Sequence, residues 1–233
     1  MWGHLSIKNF WEGKIMSKEK KYSIKKDFSL LALLLIPIAV AINFAGGQLA
    51  SLLKLPLYLD TIGTIFVAML CGPWVGGLAG LVTNLVLGIA NPIYIPFAIV
   101  NITVGLVTGF LARNKGFSTW WRWIISMVLM ALASIITAAP IVVLMFGGIT
   151  SSGTSLITAT LMATGTNIWK AVVSTELVFT VIDRVISFGI TYLILRVVPA
   201  RTLIKFSLGE NYIKKGKNAA VADTEENVDD DID

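Results

Sequence analysis

Between Phe28 and Ala200 the chain holds only three acidic residues: Asp60, Glu176 and Asp183. The bases in that stretch are Lys54, Arg113, Lys115, Arg122, Lys170, Arg184 and Arg196. A water-soluble domain has about 25% charged residues; here 14% are charged and 55% hydrophobic. A body this apolar would expose large hydrophobic patches in water and aggregate. Its apolar runs approach the roughly 17–25 residues that an α-helix needs to cross a bilayer. The alternating ten-residue segments of a membrane barrel are absent. The fold class expected is an all-α, multi-pass cell (plasma) membrane protein.

Charge then sets the topology. Residues 1–27 are lysine-rich and read as a basic cytoplasmic segment. Its aromatic residues Trp2, Phe10 and Trp11 suit an interfacial position, and His4 reads as incidental. The first span runs from about Phe28 to Leu53 and contains Pro37. Asp60 to Ala90 is 31 residues, about 46 Å as one helix, too long for a roughly 30 Å core. Splitting it at Gly72-Pro73 places Arg113, Lys115 and Arg122 inside, as the positive-inside rule requires. The spans are therefore about 59–71, 74–89 and 95–112, with a fifth that runs to about Phe146 and holds Pro140. Asn91-Pro92 is an outside turn, and the Trp120-Trp121-Arg122-Trp123 cluster an inner aromatic belt. Ser155 to Val198 is again long, 44 residues or about 66 Å. The bases Arg196, Arg201 and Lys205 demand an odd number of crossings, so the reading is a sixth span near 174–197 plus an outer or re-entrant piece near 154–168. The expected organisation is a six-helix domain over 28–205 with both termini cytoplasmic, and a tail over 206–233 ending in an acidic, disordered run.

Ionisable groups in a span are costly and usually face the bundle interior or a water-filled cavity. Arg184 lies about 18 Å up the helix from Arg196, past the midplane. Glu176 and Lys170 lie higher still; mutual pairing or contact with the outer interface is the favoured reading for both. Asp183 and Arg184, being adjacent, point about 100° apart and do not directly face each other. Asp60 begins the second span, Asn91 sits at the outer turn, and Asn84 lies about two helical turns below it. The polar inventory gathers in the outer half, as a solute site open to the outside would require. The candidates for contact with a solute are Asp60, Asn84, Asn91, Tyr94, Asn101, Trp169, Asp183 and Arg184; for Asp60, Asn84 and Asp183, structural pairing is an equal alternative. Gly72, Gly76 and Gly80, and likewise Gly105 and Gly109, repeat every four residues and read as helix-packing faces.

Several chemistries drop out. There is no P-loop, and no histidine in the membrane body to serve a metal site or a Ser-His-Asp triad. Cys71 is the single cysteine, so an intramolecular disulfide is impossible. No cofactor or metal is expected, the chain does not read as an enzyme, and nucleic acid is an improbable partner.

Leu59-Asp60-Thr61-Ile62-Gly63, Gly72-Pro73-Trp74-Val75-Gly76, Thr83-Asn84 and Ile182-Asp183-Arg184-Val185-Ile186-Ser187, in that order and spacing, resemble the substrate-binding S components of energy-coupling factor (ECF) vitamin transporters. The resemblance covers about residues 28–205. It implies capture of a vitamin or related small molecule from outside, in a pocket in the outer half. It also implies a transmembrane T component and two cytoplasmic ATPases as partners, and toppling in the membrane to release the substrate. The loops implied to cover the pocket are about Lys54–Asp60 and Gly147–Gly153. The family's first helix often presents an Ala-x-x-x-Ala face to the T component. Here Ala32 matches by position but is followed by Ile36, while Ala41 and Ala45 match the spacing but lie deeper. Aromatic vitamins stack on Trp and Tyr, so Tyr58, Tyr94 and Trp169 make riboflavin the first compound to try. Two other classes stay open: a stand-alone ion-coupled secondary transporter using Asp183 or Glu176 for protons, and a membrane-embedded enzyme.

Overall fold

The computed structural model describes residues 27–150 and 152–213. The basic segment expected over 1–27, apart from Asp27, and the acidic end of the tail lie outside the described residues. The described residues form helices and no strands. In chain order these are α1 (Leu30–Leu52), α2 (Ile62–Cys71), α3 (Pro73–Ala90), α4 (Ala98–Arg113), α5 (Trp120–Phe146), α6 (Thr154–Ala163), α7 (Ile168–Val197) and the single turn α8 (Ala200–Leu203). A short 3-10 turn, Pro92–Tyr94, precedes α4. Four helices, α1, α3, α5 and α7, are long and apolar enough to cross a membrane; α2, α4 and α6 are shorter apolar helices.

Exposed surface and buried polarity are reversed relative to a soluble protein. Leu30, Leu52, Ile89, Ile136, Leu144 and Val197 are all exposed, while Asn43, Thr83, Asn84 and Asp183 are buried. That pattern suits an apolar solvent, where each polar group must find an internal partner.

The helix at the centre is α2. All ten of its residues are buried, and it packs against α1, α3, α4 and α7. At 10 residues it is only about 15 Å long. Thr61 ends the preceding loop, so the stretch expected as a span over 59–71 is part loop and part helix. Asn43 of α1 pins α2 from the side. Its Oδ1 accepts from the Gly63 N–H at 2.6 Å, and its Nδ2 donates to Thr64 Oγ1 at 2.9 Å and Thr83 Oγ1 at 3.0 Å. One amide thus ties three helices together, the use of buried polar groups as interhelical glue.

The glycine repeats divide into two roles. Gly76 and Gly105 meet backbone to backbone, so a methyl on Gly105 would overlap the Gly76 carbonyl and the Gly77 nitrogen. The two glycine repeats, read from the sequence as helix-packing faces, thus meet each other between α3 and α4. Gly72 does a different job. With φ at 94° it makes the sharp turn between α2 and α3, a conformation that side-chain-bearing residues rarely adopt.

Other boundaries differ from expectation. Helix α7 starts at Ile168 rather than near 174, because the Asn167 side chain caps it by accepting from the Trp169 N–H at 2.9 Å. The separate piece before it is the ten-residue helix α6, just under three turns. Residues 206–213, expected in the tail, belong to the body: Phe206 and Leu208 join the main hydrophobic cluster, and Leu208 donates to the Leu70 carbonyl at 2.9 Å. Of the tryptophan cluster, Trp120 and Trp121 face outward, whereas Trp123 packs on Phe117, Phe188 and Tyr192.

Two ends of the bundle are distinct. At one, the α2–α3 turn, the end of α4 and Asp27 converge; Asp27 pairs with Arg113 and lies against Gly72. Arg113 closes α4 and Arg196 lies in the last turn of α7. At the other end, the loops 53–61 and 147–153 come together with the Pro92–Tyr94 turn.

Gly105→Ala is expected to lower the thermal midpoint in detergent, at a cost of about 1–3 kcal/mol typical of overpacking. Gly189→Ala is the control. Its added methyl meets nothing within 4 Å, so the helix propensity of alanine should leave stability unchanged or raise it by up to about 1 kcal/mol.

Candidate functional site

The cavity lies at the loop end. It has a volume of about 100 Å³ and is walled by α1, α4, α5 and α7 with three connecting segments. The segment after α1 contributes Leu55, Leu57, Tyr58, Asp60 and Thr61; the turn before α4 contributes Ile93, Tyr94 and Phe97. Thr150, Ser152 and Gly153 come from the loop after α5. Both loops implied to cover a pocket are therefore on its wall.

The first loop is held in an unfavourable shape by α7. Leu59 has φ at 52°, the left-handed region that a leucine rarely visits. Asp183 stabilises this turn: one carboxylate oxygen, Oδ1, accepts from the Tyr58 N–H at 3.0 Å and the Leu59 N–H at 2.9 Å. Arg184, the next residue, donates to Thr61 Oγ1 at 2.6 Å. Its guanidinium also comes within 3.7 Å of Asp183 Oδ2. The two side chains leave the helix in different directions, but the length of the arginine brings its head back to its neighbour. Tyr58 completes the attachment. Its hydroxyl donates to Glu176 Oε1 at 2.6 Å and lies 3.2 Å from Thr154 Oγ1. Glu176 Oε2 accepts from Thr180 Oγ1 at 3.1 Å.

A relay of amides shapes the opposite wall. Asn84 Nδ2 donates to the Tyr94 carbonyl at 2.9 Å, which fixes the orientation of the Asn84 amide. Asn84 Oδ1 then accepts from Asn101 Nδ2 at 2.8 Å, and the same nitrogen lies 3.3 Å from the Asp60 carbonyl. Asn101 Oδ1 is left buried without a hydrogen-bond partner among the described residues.

The solute-contact candidates fall into three groups. Asp60, Tyr94, Asn101 and Arg184 lie on the cavity wall. Asn84 and Asp183 are buried behind it and position wall groups through the bonds just given. Asn91 and Trp169 are off the wall; Asn91 accepts from the Ile93 N–H at 3.2 Å, and Trp169 is exposed. Glu176, for which pairing or an interfacial role was the favoured reading, does pair with Tyr58 and Thr180 but also lines the cavity; Lys170 is exposed. Wall residues such as Phe97, Ser134, Thr150 and Ser152 carried no distinguishing signal in the sequence. Of the three docking alanines, Ala32 is buried in the main core, while Ala41 and Ala45 are exposed.

The family model for the ECF transporter substrate-specific component matches residues 31–195, most of the chain. The chain belongs to this family. It is thus a substrate-specific component, a multi-pass plasma membrane protein of the substrate-binding kind, and family membership brings with it a small-molecule substrate and a partnership with a T component and ATPases. No curated protein and no solved structure matches the chain. For this S component the cavity is the concave, polar-tipped site on which a binding role can rest.

Asp183→Ala should release the 53–61 loop of the S component, because two backbone donors lose their acceptor at about 1–3 kcal/mol each. Hydrogen exchange at the Tyr58 and Leu59 amides reads this directly, and exchange as slow as in the parent protein would refute the clamp.

Proposed function

We propose that this S component captures a vitamin-like small molecule from outside the cell in the cavity between the 53–61 and 147–153 loops. One observation carries the reading: the cavity with its buried polar wall lies at the end of the bundle opposite Arg113 and Arg196. By the positive-inside rule the basic end is cytoplasmic, so the cavity faces out. In this orientation α1, α3, α4, α5 and α7 each cross the membrane. The sixth crossing is α2 with the loop that feeds it, while α6 stays at the outer side. Both termini are then cytoplasmic. The polar wall, comprising Asp60, Tyr94, Asn101 and Arg184, is the substrate site, and Asn84 and Asp183 hold it in shape.

Uptake follows from association with the T component and two ATPases, which supply the energy this chain has no motif to harvest. The exposed face of α1 that carries Ala41 and Ala45 permits a close helix approach and is the docking surface we favour.

The test is co-purification and transport. The tagged full-length chain is expected to bring down a T component and ATPases from its own membranes, and reconstituted uptake should require ATP. Uptake by the chain alone, driven by an ion gradient in liposomes, would overturn the assignment. Asn84→Ala is expected to weaken substrate binding roughly tenfold, about 1.4 kcal/mol, through the loss of one oriented buried amide.

A further inference from the structure

We infer that the substrate carries a positively charged nitrogen, seated against Asp60 and Glu176. The inference rests on the capture role proposed above and concerns what that same cavity selects.

The charges around the cavity do not balance. Arg184 is the only basic residue on the wall among the described residues. Its partner is Asp183, whose Oδ2 it approaches at 3.7 Å and whose Oδ1 is taken up by the two loop amides. Arg184 also acts electrostatically on Asp60 and Glu176, so one cation stands against three carboxyl groups, and neither Asp60 nor Glu176 forms an ion pair among the described residues. Glu176 is nine-tenths buried or more and receives only neutral donors, the Tyr58 and Thr180 hydroxyls. A buried carboxylate without a counter-charge is strongly disfavoured, and a cationic ligand supplies the missing charge.

The neutral groups point the same way. The relay from the Tyr94 carbonyl through Asn84 fixes Asn101 with Nδ2 turned to the protein and Oδ1 free of any partner. A buried acceptor on the wall of a cavity calls for a donor from the ligand. Asp60, Glu176 and Asn101 thus bring acceptor-bearing side chains to the wall against one unpartnered donor there, Arg184 Nε, so N–H groups or a cationic centre would offset the excess of acceptors. The rings of Tyr58, Tyr94 and Phe97 on the same wall add faces that attract a cation. Riboflavin, chosen on aromatic content alone, is uncharged and leaves the acidic pair unmet.

The experiment is calorimetric titration of the detergent-purified full-length chain with four probes. Thiamine and pyridoxamine each carry an aromatic ring and a positive nitrogen; riboflavin is aromatic and uncharged; pantothenate is an anion. At least one cationic probe is expected to bind ten times more tightly than riboflavin and pantothenate. Asp60→Asn and Glu176→Gln should each weaken that binding at least tenfold, and Asp60→Glu, which keeps the charge, should retain more of it than Asp60→Asn. Thermal midpoints identify any variant that fails to fold, and competition between the cationic and neutral probes on the parent protein needs no variant at all. Equal or tighter binding of riboflavin or pantothenate overturns the charge assignment while leaving the capture role in place. Cation binding indifferent to both substitutions overturns it as well. Binding of none of the four also overturns it, and co-purification with the T component and ATPases then decides separately whether the capture role stands.

Discussion

One carboxylate oxygen holds the site together. Asp183 Oδ1 accepts two consecutive backbone N–H groups from a loop more than 120 residues away in sequence. Without it, a leucine in a left-handed conformation and the half-buried Tyr58 beside it would lose the acceptor for both of their backbone N–H groups. Because the loop stays, Tyr58 can reach Glu176, Thr61 can receive Arg184, and Asp60 is delivered to the cavity wall. An acid in the middle of an apolar helix is expensive, and here its cost is offset by ordering the entrance to α2, whose ten residues are all buried.

The same constraint runs through the rest of the bundle. In an apolar solvent a polar group cannot be left to water, and the buried amides of this bundle are used as fasteners. Asn43 fastens α1 to α2 and α3, and Asn84 fastens α3 to the turn before α4 and, through Asn101, to α4 itself. Between these points the glycine face of α3 lets α4 come to backbone contact. Rigid packing over the basic half and a polar, loop-walled cavity over the other half are two outcomes of one rule. The cavity opens where the polar side chains Asp60, Asn101, Glu176 and Arg184 gather at the loop end.

Much of this was legible in the chain. The helical class followed from apolar run length, and the break at Gly72-Pro73 from charge parity with Arg113, Lys115 and Arg122, because both are properties of the order of residues along the chain and need no side-chain contacts. The covering loops were implied by the resemblance. The candidate site was half legible. Asp60, Tyr94, Asn101 and Arg184 stand out as polar or aromatic residues near the outer ends of apolar runs, and they do reach the wall. Asn91 and Trp169 share that signature and do not, since one caps a turn and the other looks outward. Nothing in spacing separates a polar group that faces a cavity from one that caps a backbone. Glu176 shows the converse: its height on α7 suggested pairing or the interface, but the 53–61 loop brings Tyr58 to it and it lines the cavity.

Sequence alone determined the solvent, the helical class and where the scarce charges sit along each helix. Those follow from the free energy of placing apolar runs in lipid, which is additive along the chain and blind to neighbours. Tertiary structure alone decided that α2 is short and wholly enclosed, that residues 206–213 close the bundle beneath it, and that Asp183 serves the loop while Asp60 and Glu176 serve the cavity. These depend on which groups meet across long stretches of sequence, and a hydrogen bond between residues 59 and 183 has no trace in the local pattern of either.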